Sequence, residues 1–488
     1  MLENIISILK SLVAIVLYWG PMVVYMMNVP RTLHYMQLEG YRNSDYMRWL
    51  SKNPKLAFKC GIRQVLGVLG YYIVVTIINA VFLSKMGRMG IAYTLITEWI
   101  MLFIVFAVCN IVKSKREKQE IKSAKKPLVY TGRAKRLMFW SFITIIILEV
   151  CIISTIKAQS MVLYYMLRIV WYSIFIFLAP VNMIISNFLA YTTEKIIDDS
   201  YINSARFKLM KKSYRKLIKI GITGSYGKTS TKFILQTILS EKYNVLASPE
   251  SYNTTMGNVK VIRKMLKPEH QVLISEMGAR HRYDIREICD FVRPQIGLIT
   301  SIGPQHLETF KNIDNIVKAK AELLDSLPTD GVVFLPNDDS HCLKLYNKEK
   351  REKYIYGIND KHADVYAKNI KTTKNGTEFI AVTKQGEIHC VSKLLGEHNV
   401  QNILGAIAIA VRLGLTNEQI ANGVKKIKPI EHRLQIIDGS NGITVIDDAF
   451  NSNPVGSKMA LDVIKSFDGR KIIITPGMVE LRKRWIQI

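Results

Sequence analysis

"KIGITGSYGKTSTKFIL" is the sequence of residues 219–235, and this stretch decides the fold. It places a short apolar strand, a glycine turn and a helix start in the order that directs backbone N–H groups at phosphate oxygens. The usual phosphate-loop pattern G-x-x-x-x-G-K-[ST] would require glycine at position 222, where the chain has Ile222. The spacing predicts a phosphate loop of a shorter form, and an ordinary strand-to-helix turn is the alternative.

The residue types in this loop suit nucleotide phosphates. Gly224 and Gly227 allow close approach of the backbone, Lys228 can reach the β- and γ-phosphates, and the hydroxyl of Thr229 is placed to hold Mg²⁺. Apolar residues at helical spacing follow, as expected of a helix packed on a sheet. We therefore predict that ATP contacts residues Gly224, Ser225, Tyr226, Gly227, Lys228, Thr229 and Ser230.

The 488 residues are too many for one core and predict three or four units. Up to about residue 195 the chain is rich in apolar residues, and beyond about 215 it has the composition of an ordinary soluble protein. Spanning a bilayer takes about 20 mostly apolar residues, and two of the candidate stretches each carry one acid, Glu98 and Glu149. The sequence predicts five membrane spans, at 11–29, 64–84, 91–112, 137–156 and 169–191.

The net charge of +28 fits a membrane surface better than nucleic acid, because many basic residues flank the apolar stretches. The basic loops 30–63 and 113–136 predict a multi-pass cell-membrane protein with its C-terminal part in the cytoplasm. The basic run 206–219 is expected to lie against anionic lipids. Six cysteines without C-x-x-C spacing indicate neither a zinc site nor a disulfide framework.

Several further motifs follow the loop in order, and with it they resemble the Mur ligase family, ATP-dependent amide-forming enzymes of peptidoglycan precursor synthesis. The resemblance covers about residues 217–480, and the family's loop has this shorter form. It implies a P-loop-containing α/β central domain and a Rossmann-like last domain. The motifs are SYNTTMGN (251–258), ISEMGAR (274–280), TSIGPQHLETF (300–310), KAKAELL (318–324), GEHNVQNILGAIAIA (396–410) and DDAFNSNP (447–454).

This organisation predicts four parts of the chain. The last part has only about 60 residues, fewer than a normal α/β core needs, so we expect it to be incomplete. The parts are an α-helical membrane region at 1–195, a basic linker at 196–216, a central ATP-binding domain at 217–428 and the start of a C-terminal ligase domain at 429–488.

Three residues are expected to complete a metal site. Glu276 ends an apolar strand at the edge where parallel sheets bind ligands, which makes it a credible Mg²⁺ ligand. By resemblance His306 helps to hold a second Mg²⁺, and Lys320 corresponds to a lysine that is carbamylated and then binds metal. Glu276 and His306 could each be structural instead, and Lys318 is the rival to Lys320 by register.

The remaining candidates lie near the end of the chain. Asn399 and Asn402 stand near the start of an alanine-rich helix, where asparagine also serves as a cap. By resemblance Asn402 contacts the adenine side of ATP, Arg433 approaches its phosphates and Asp448, rather than Asp447, approaches its ribose.

The resemblance implies a ligase that activates a carboxylate as an acyl phosphate and joins it to an amine. The branch that adds D-alanyl-D-alanine to a muramoyl tripeptide fits the motifs best, with ATP and Mg²⁺ as cofactors. The membrane region stands where the family has a uridine-binding domain, so a lipid-linked carboxylate is a second candidate substrate, and an amino acid is a second candidate amine. A polyglutamate-type ligase and a non-catalytic ATP-binding membrane scaffold are the alternatives.

Overall fold

The computed structural model describes residues 28–58, 127–155, 177–249, 252–358, 360–373, 375–438, 443–449, 454–465 and 469–475, with a few single positions at 25, 26, 62, 65, 170, 171, 174, 175 and 467. The chain divides into two compact units, Met1–Ile197 and Asp198–Ile488. Each unit is described by itself.

The described part of the first unit is helical. Its helices are α1 (Val29–Leu38), α2 (Asn43–Lys52), α3 (Gly132–Thr155) and the first part of α4 (Ala179–Met210). Leu33, Leu137 and Met183 belong to one buried cluster that joins these helices. Arg136 adds an ion pair, since its guanidinium donates two hydrogen bonds of 2.5 and 2.7 Å to the carboxylate of Glu194.

The prediction of five membrane spans is corrected by these helices. In the part of the chain that the structure describes, no helix has both the length and the apolar character needed to cross a membrane. The stretch 91–112, all of 64–84 except residue 65, and most of 11–29 lie outside the described residues. The predicted cell-membrane location is therefore wrong, and the predicted anionic lipid partners have no support.

The two stretches that overlap described helices show why an apolar run can mislead. In α3 and α4, buried apolar side chains pack against other helices, and polar side chains between them pair with each other. Asn182 Nδ2 donates to Thr144 Oγ1 at 3.0 Å, and Thr144 Oγ1 lies 3.3 Å from Ser186 Oγ. An apolar sequence alone does not distinguish packing between helices from contact with lipid.

The second unit is built on a nine-stranded sheet in the order β2-β3-β1-β4-β5-β6-β7-β8-β9. The pairs from β2 to β7 are parallel, whereas β8 and β9 extend the sheet as antiparallel strands. The strands are β1 (Ile218–Thr223), β2 (Val245–Ala247), β3 (Val272–Glu276), β4 (Ile296–Ile299), β5 (Val332–Pro336), β6 (Glu352–Gly357), β7 (Val365–Thr373), β8 (Gly376–Thr383) and β9 (Gly386–Ser392).

Helices cover both faces of this sheet. Along β5, Val332 and Phe334 join one buried cluster and Val333 and Leu335 the other, because successive side chains point to opposite faces. The first cluster includes α5 (Lys228–Leu239), α11 (Glu397–Arg412) and α12 (Asn417–Lys425). The second includes α6 (Thr255–Lys264), α7 (Asp284–Val292), α9 (Ile313–Asp325) and α10 (Ser340–Lys348), while the short α8 (Leu307–Phe310) precedes α9. The predicted α/β fold is confirmed here.

The described C-terminal elements form a small assembly. Strands β10 (Gln435–Asp438) and β11 (Thr444–Asp447) pair antiparallel, and helix α13 (Pro454–Lys465) follows them. Leu434, just before β10, and Val463 on α13 form a small buried cluster with Leu395, which precedes α11.

Candidate nucleotide-binding site

The glycine turn between β1 and α5 has a backbone that only glycine fits. Gly224 has φ of +150° and Gly227 has φ of +80°. A Cβ atom on Gly224 would lie 2.0 Å from Thr300 Oγ1, and one on Gly227 would lie 2.6 Å from Asn402 Oδ1. Glycine at both positions therefore lets the turn pack closely against Thr300 and Asn402 just before the N-terminus of α5, which is where a phosphate group would bind.

The segment after β4 braces this turn. Ser301 accepts a hydrogen bond from Ser225 N at its carbonyl oxygen (2.7 Å) and one from Tyr226 N at its hydroxyl (3.1 Å). Ser225 Oγ donates to Gly303 O and accepts from Gly303 N, both at 2.9 Å. These contacts give the TSIG segment a structural role that sequence reasoning missed. Its serine and glycine, spaced as in a turn, were the available signal.

Lys228 is the first residue of α5, and its side chain folds back over the turn. Its Nζ donates to Gly224 O at 2.7 Å and to Ser225 O at 3.2 Å. Burial lowers the pKa of Lys228 to about 8, the charge of Glu276 opposes that shift, and Arg433 adds to it. The ammonium therefore lies where a phosphate group at the turn would meet it.

Thr229 and Glu276 meet beside the turn. Ile222 on β1 pairs with Glu276 on the parallel strand β3, so both chain ends emerge at one edge of the sheet. Thr229 Oγ1 donates to Glu276 Oε1 at 3.0 Å. Two Mg²⁺ ligands at right angles and about 2.0–2.1 Å from the ion would be about 2.9 Å apart. This oxygen pair therefore fits Mg²⁺, which prefers hard oxygen ligands.

Glu276 also forms an ion pair that the sequence did not suggest. Lys232 and Glu276 are both fully buried, and Lys232 Nζ lies 3.1 Å from Glu276 Oε2. Asn253 Nδ2 donates to Glu276 Oε1 at 3.2 Å. Lys232 is four residues after Lys228 and thus on the same helix face, which was the one signal available in the sequence.

Burial separates the two lysines of the KAKAELL motif. Lys320 is only 2% exposed and faces the interior, whereas Lys318 is exposed on α9. Burial lowers the pKa of Lys320 well below its usual value, and the charge of nearby Lys228 lowers it further. The structure thus brings Lys320, rather than Lys318, towards the phosphate loop.

His306 lies in the segment after β4, just before α8. Its φ of +52° is in the left-handed region, which is uncommon for a residue with a side chain. Its carbonyl oxygen accepts from Thr309 N and Phe310 N, both at 3.0 Å. Among the described residues, no group of three or more His, Cys, Asp or Glu side chains is arranged to hold a metal ion. The second metal site predicted from His306 stays a prediction.

The two asparagines at the start of α11 form hydrogen bonds with different parts of the protein. Asn399 is buried, and its Nδ2 donates to Leu395 O at 2.8 Å, which is a local structural role. Asn402 instead reaches α5, where its Oδ1 accepts from Thr231 Oγ1 at 3.1 Å beside Gly227. Asn402 is therefore a neighbour of the phosphate turn, and its predicted contact with adenine stays a prediction.

Arg433 lies near the same site, in a segment of unusual backbone. His432 and Leu434 on either side have φ of +61° and +46°. Burial lowers the pKa of Arg433, and the charges of Glu276 and Asp448 oppose that shift. The charge of Arg433 reaches Lys228 in the loop, and its predicted approach to the ATP phosphates stays a prediction.

The two neighbouring acids have distinct partners. Asp447 Oδ2 lies 2.6 Å from His432 Nδ1, and the bond to His432 lowers the pKa of Asp447. Asp448 Oδ1 accepts from Leu434 N at 3.1 Å. The choice of Asp448 over Asp447 for the ribose is therefore still a prediction, although Asp448 is the acid whose charge reaches Arg433.

The site as a whole is suited to an anion. Lys228 and Arg433 bring positive charge to the turn, whereas Lys232 is paired with Glu276. Backbone N–H groups at the start of α5 add the positive end of a helix dipole. Phosphate groups with a Mg²⁺ ion on Thr229 and Glu276 would complement this arrangement.

Comparison with known proteins points the same way. Residues 222–410 match the Mur ligase middle domain, which confirms the predicted family resemblance for this central part. A UDP-N-acetylmuramoyl-tripeptide–D-alanyl-D-alanine ligase from Haemophilus influenzae is 33% identical over 273 residues, 55% of this chain and 59% of that protein. The chain thus spans less than two thirds of the length of this relative.

Solved structures show the same fold. MurF from Acinetobacter baumannii has a TM-score of 0.53 and 29% identity over 56% of this chain and 59% of its own. MurF ligase from Thermotoga maritima, solved in complex with ADP, has a TM-score of 0.53 and 23% identity over 59% of this chain and 65% of its own. At that identity the second likeness concerns the fold alone.

Proposed function

We propose that this chain is an ATP-dependent amide ligase that joins D-alanyl-D-alanine to a UDP-muramoyl tripeptide. The observation that carries the proposal is the contact of Thr229 with Glu276 directly behind a glycine turn and Lys228. This arrangement suits Mg²⁺-bound nucleotide phosphates. The choice of substrates is supported by the similarity to the Haemophilus influenzae protein, which is a ligase of this tripeptide and this dipeptide.

In the proposed reaction, a substrate carboxylate oxygen attacks the γ-phosphorus of ATP, and ADP leaves. The resulting acyl phosphate is attacked by the dipeptide amine, and phosphate leaves as the amide forms. Phosphoryl transfer depends mainly on positioning and on neutralising charge. A bound Mg²⁺ ion would supply part of that neutralisation.

The residues of this chain have separate tasks in that scheme. Lys228 would exchange its two bonds to the turn carbonyls for bonds to phosphate oxygens. Thr229 and Glu276 would hold Mg²⁺ through their adjacent oxygens, and Arg433 would add positive charge near them. Backbone N–H groups at the N-terminus of α5 would bind further phosphate oxygens.

Lys320 suits the proposed carbamate. Burial lowers the pKa of Lys320 and so favours its uncharged form, and an uncharged amine can add CO₂ and release a proton. The product is an acid in place of a base, and it could serve as an oxygen ligand for metal. Mass spectrometry under added ¹³CO₂, with trapping of the carbamate, would detect a modification at Lys320 that is absent in Lys318.

The proposal is tested with purified protein, ATP, Mg²⁺ and UDP-muramoyl tripeptide, to which D-alanyl-D-alanine, glutamate or no amine is added. We expect phosphate release and a new amide product with the dipeptide only. Release with glutamate instead would favour a polyglutamate-type ligase. ATP binding without any amine-dependent release would favour a nucleotide-binding scaffold, and either result would overturn the proposal.

A further inference from the structure

The Lys232–Glu276 pair is unusual because both side chains are fully buried. Removing two charges from water costs several kcal/mol per ion, so such a pair is weak support for stability by itself. Glu276 Oε2 has no hydrogen-bond partner in the described part of the chain, and Lys232 Nζ is the cation beside it. The two oxygens of Glu276 therefore have different surroundings.

The two oxygen atoms of the Glu276 carboxylate contact different groups. Oε1 meets Thr229 Oγ1 at 3.0 Å and Asn253 Nδ2 at 3.2 Å, on the side of the phosphate turn. Oε2 meets Lys232 at 3.1 Å, inside the protein. Lys232 Nζ also lies 4.4 Å from the centre of the Phe233 ring, which limits where the ammonium can move.

We infer that Lys232 is a positioning residue that anchors Glu276 Oε2 and so aims Oε1 at the Mg²⁺ position beside Thr229. This inference rests on the proposed function, since it takes Glu276 as a metal ligand. Without Lys232 the buried carboxylate would have to turn towards other donors, and its alignment with Thr229 would be lost. Alignment of this kind decides whether two ligands act together.

A purely electrostatic role for Lys232 predicts the opposite effect. A cation next to a carboxylate repels Mg²⁺, so removing that cation should strengthen metal binding. A purely structural role predicts that nucleotide affinity with and without Mg²⁺ would fall together. The effect of Mg²⁺ on nucleotide affinity therefore separates the three roles.

The test measures the affinity of a non-hydrolysable ATP analogue by calorimetry, with and without Mg²⁺, in the full chain. In Lys232→Met we expect the affinity without Mg²⁺ to stay within about twofold of that of the unmodified protein. The gain from Mg²⁺, which is the ratio of the affinities with and without the metal, should fall by about tenfold or more. Lys232→Arg keeps a cationic donor and should keep most of the gain. Lys242→Met, which changes a lysine bonded only to Leu413 O and Gly414 O in the described chain, should change neither affinity.

The inference is overturned if Mg²⁺ raises the affinity of Lys232→Met as much as, or more than, that of the unmodified protein. If Lys232→Met does not fold, Lys232→Gln offers a neutral donor. We then expect it to gain less from Mg²⁺ than Lys232→Arg does, and equal gains would overturn the inference. The proposed function fails in a different way, because the unmodified protein would then show no amine-dependent phosphate release while these binding ratios could still be measured.

Discussion

Thr229 Oγ1 lies 3.0 Å from Glu276 Oε1, at the edge where β1 and β3 end. The two residues are distant in sequence but are joined by the parallel pairing of Ile222 with Glu276. The sheet register therefore sets the separation of two oxygen atoms that fits a pair of Mg²⁺ ligands.

Substituting Thr229 tests this pair directly. Thr229→Val keeps the shape of the side chain but removes the hydroxyl, so we expect the Mg²⁺-dependent gain in ATP affinity to fall by about tenfold. Thr229→Ser retains the hydroxyl and should retain the gain. Calorimetric titrations over a range of Mg²⁺ concentrations would measure both, and an unchanged gain in the valine variant would mean that Thr229 is not a ligand.

Removing the side chain of Lys228 should weaken nucleotide binding. A hydrogen bond to a charged group contributes about 1.5–3 kcal/mol, so Lys228→Ala should bind ATP roughly 10- to 100-fold more weakly. Lys264, exposed at the end of α6, provides the matched control, and Lys264→Ala should bind normally. Equal ATP affinities for the two variants would contradict the phosphate-loop interpretation.

A side chain at Gly227 would meet two energetic costs, backbone strain from the positive φ and a clash with a close neighbour. These two costs can be measured separately. Gly227→Ala should destabilise the protein more than Gly414→Ala. Gly414 has a similar φ of +74°, but a Cβ atom there would meet only the flexible end of Lys242, whereas a Cβ atom on Gly227 would lie 2.6 Å from Asn402 Oδ1. We expect a difference of about 1–3 kcal/mol in the free energy of unfolding. Adding Asn402→Ala should reduce this difference in urea titrations, and no reduction would rule out the clash.

His398 should make the fold sensitive to acid. Burial lowers the pKa of His398 from 6.5 to about 4, so between these values the unfolded chain binds more protons than the folded one. Stability conferred by neutral His398 is complete above pH 6.5 and is lost as the pH falls towards 4, by about 2 kcal/mol at pH 5. Urea titrations at pH 7 and pH 5 should show that the free energy of unfolding falls by about 2 kcal/mol less in His398→Gln than in the unmodified protein. An equal loss in both proteins would assign the acid sensitivity to other groups.

Part of the site was accessible from sequence because short motifs dictate local backbone. The loop spacing around Gly224 and Gly227 predicts a turn that has no room for side chains, and the structure has one. Glu276 was predicted because it ends an apolar strand and parallel strands present their ends at a common edge, and in the structure it contacts Thr229. Burial of Lys320 agrees with the choice of that lysine from its motif.

Other features depend on contacts that no local pattern encodes. Lys232 would ordinarily be read as a solvent-exposed helical lysine, and only the packing of α5 against β3 shows that it is buried beside Glu276. The contacts of Ser225 with Gly303 arise between segments far apart in the chain. The apolar runs that overlap α3 and α4 were misread as spans because hydropathy does not report whether a helix packs on protein or lipid.

The central claim, that ATP activates a substrate carboxylate as an acyl phosphate, is tested most directly by following oxygen atoms. UDP-muramoyl tripeptide labelled with ¹⁸O in its reacting carboxylate is incubated with the protein, ATP, Mg²⁺ and D-alanyl-D-alanine, and the released phosphate is analysed by mass spectrometry. We predict that each phosphate released with amide formation carries one carboxylate oxygen. Unlabelled phosphate would contradict the account.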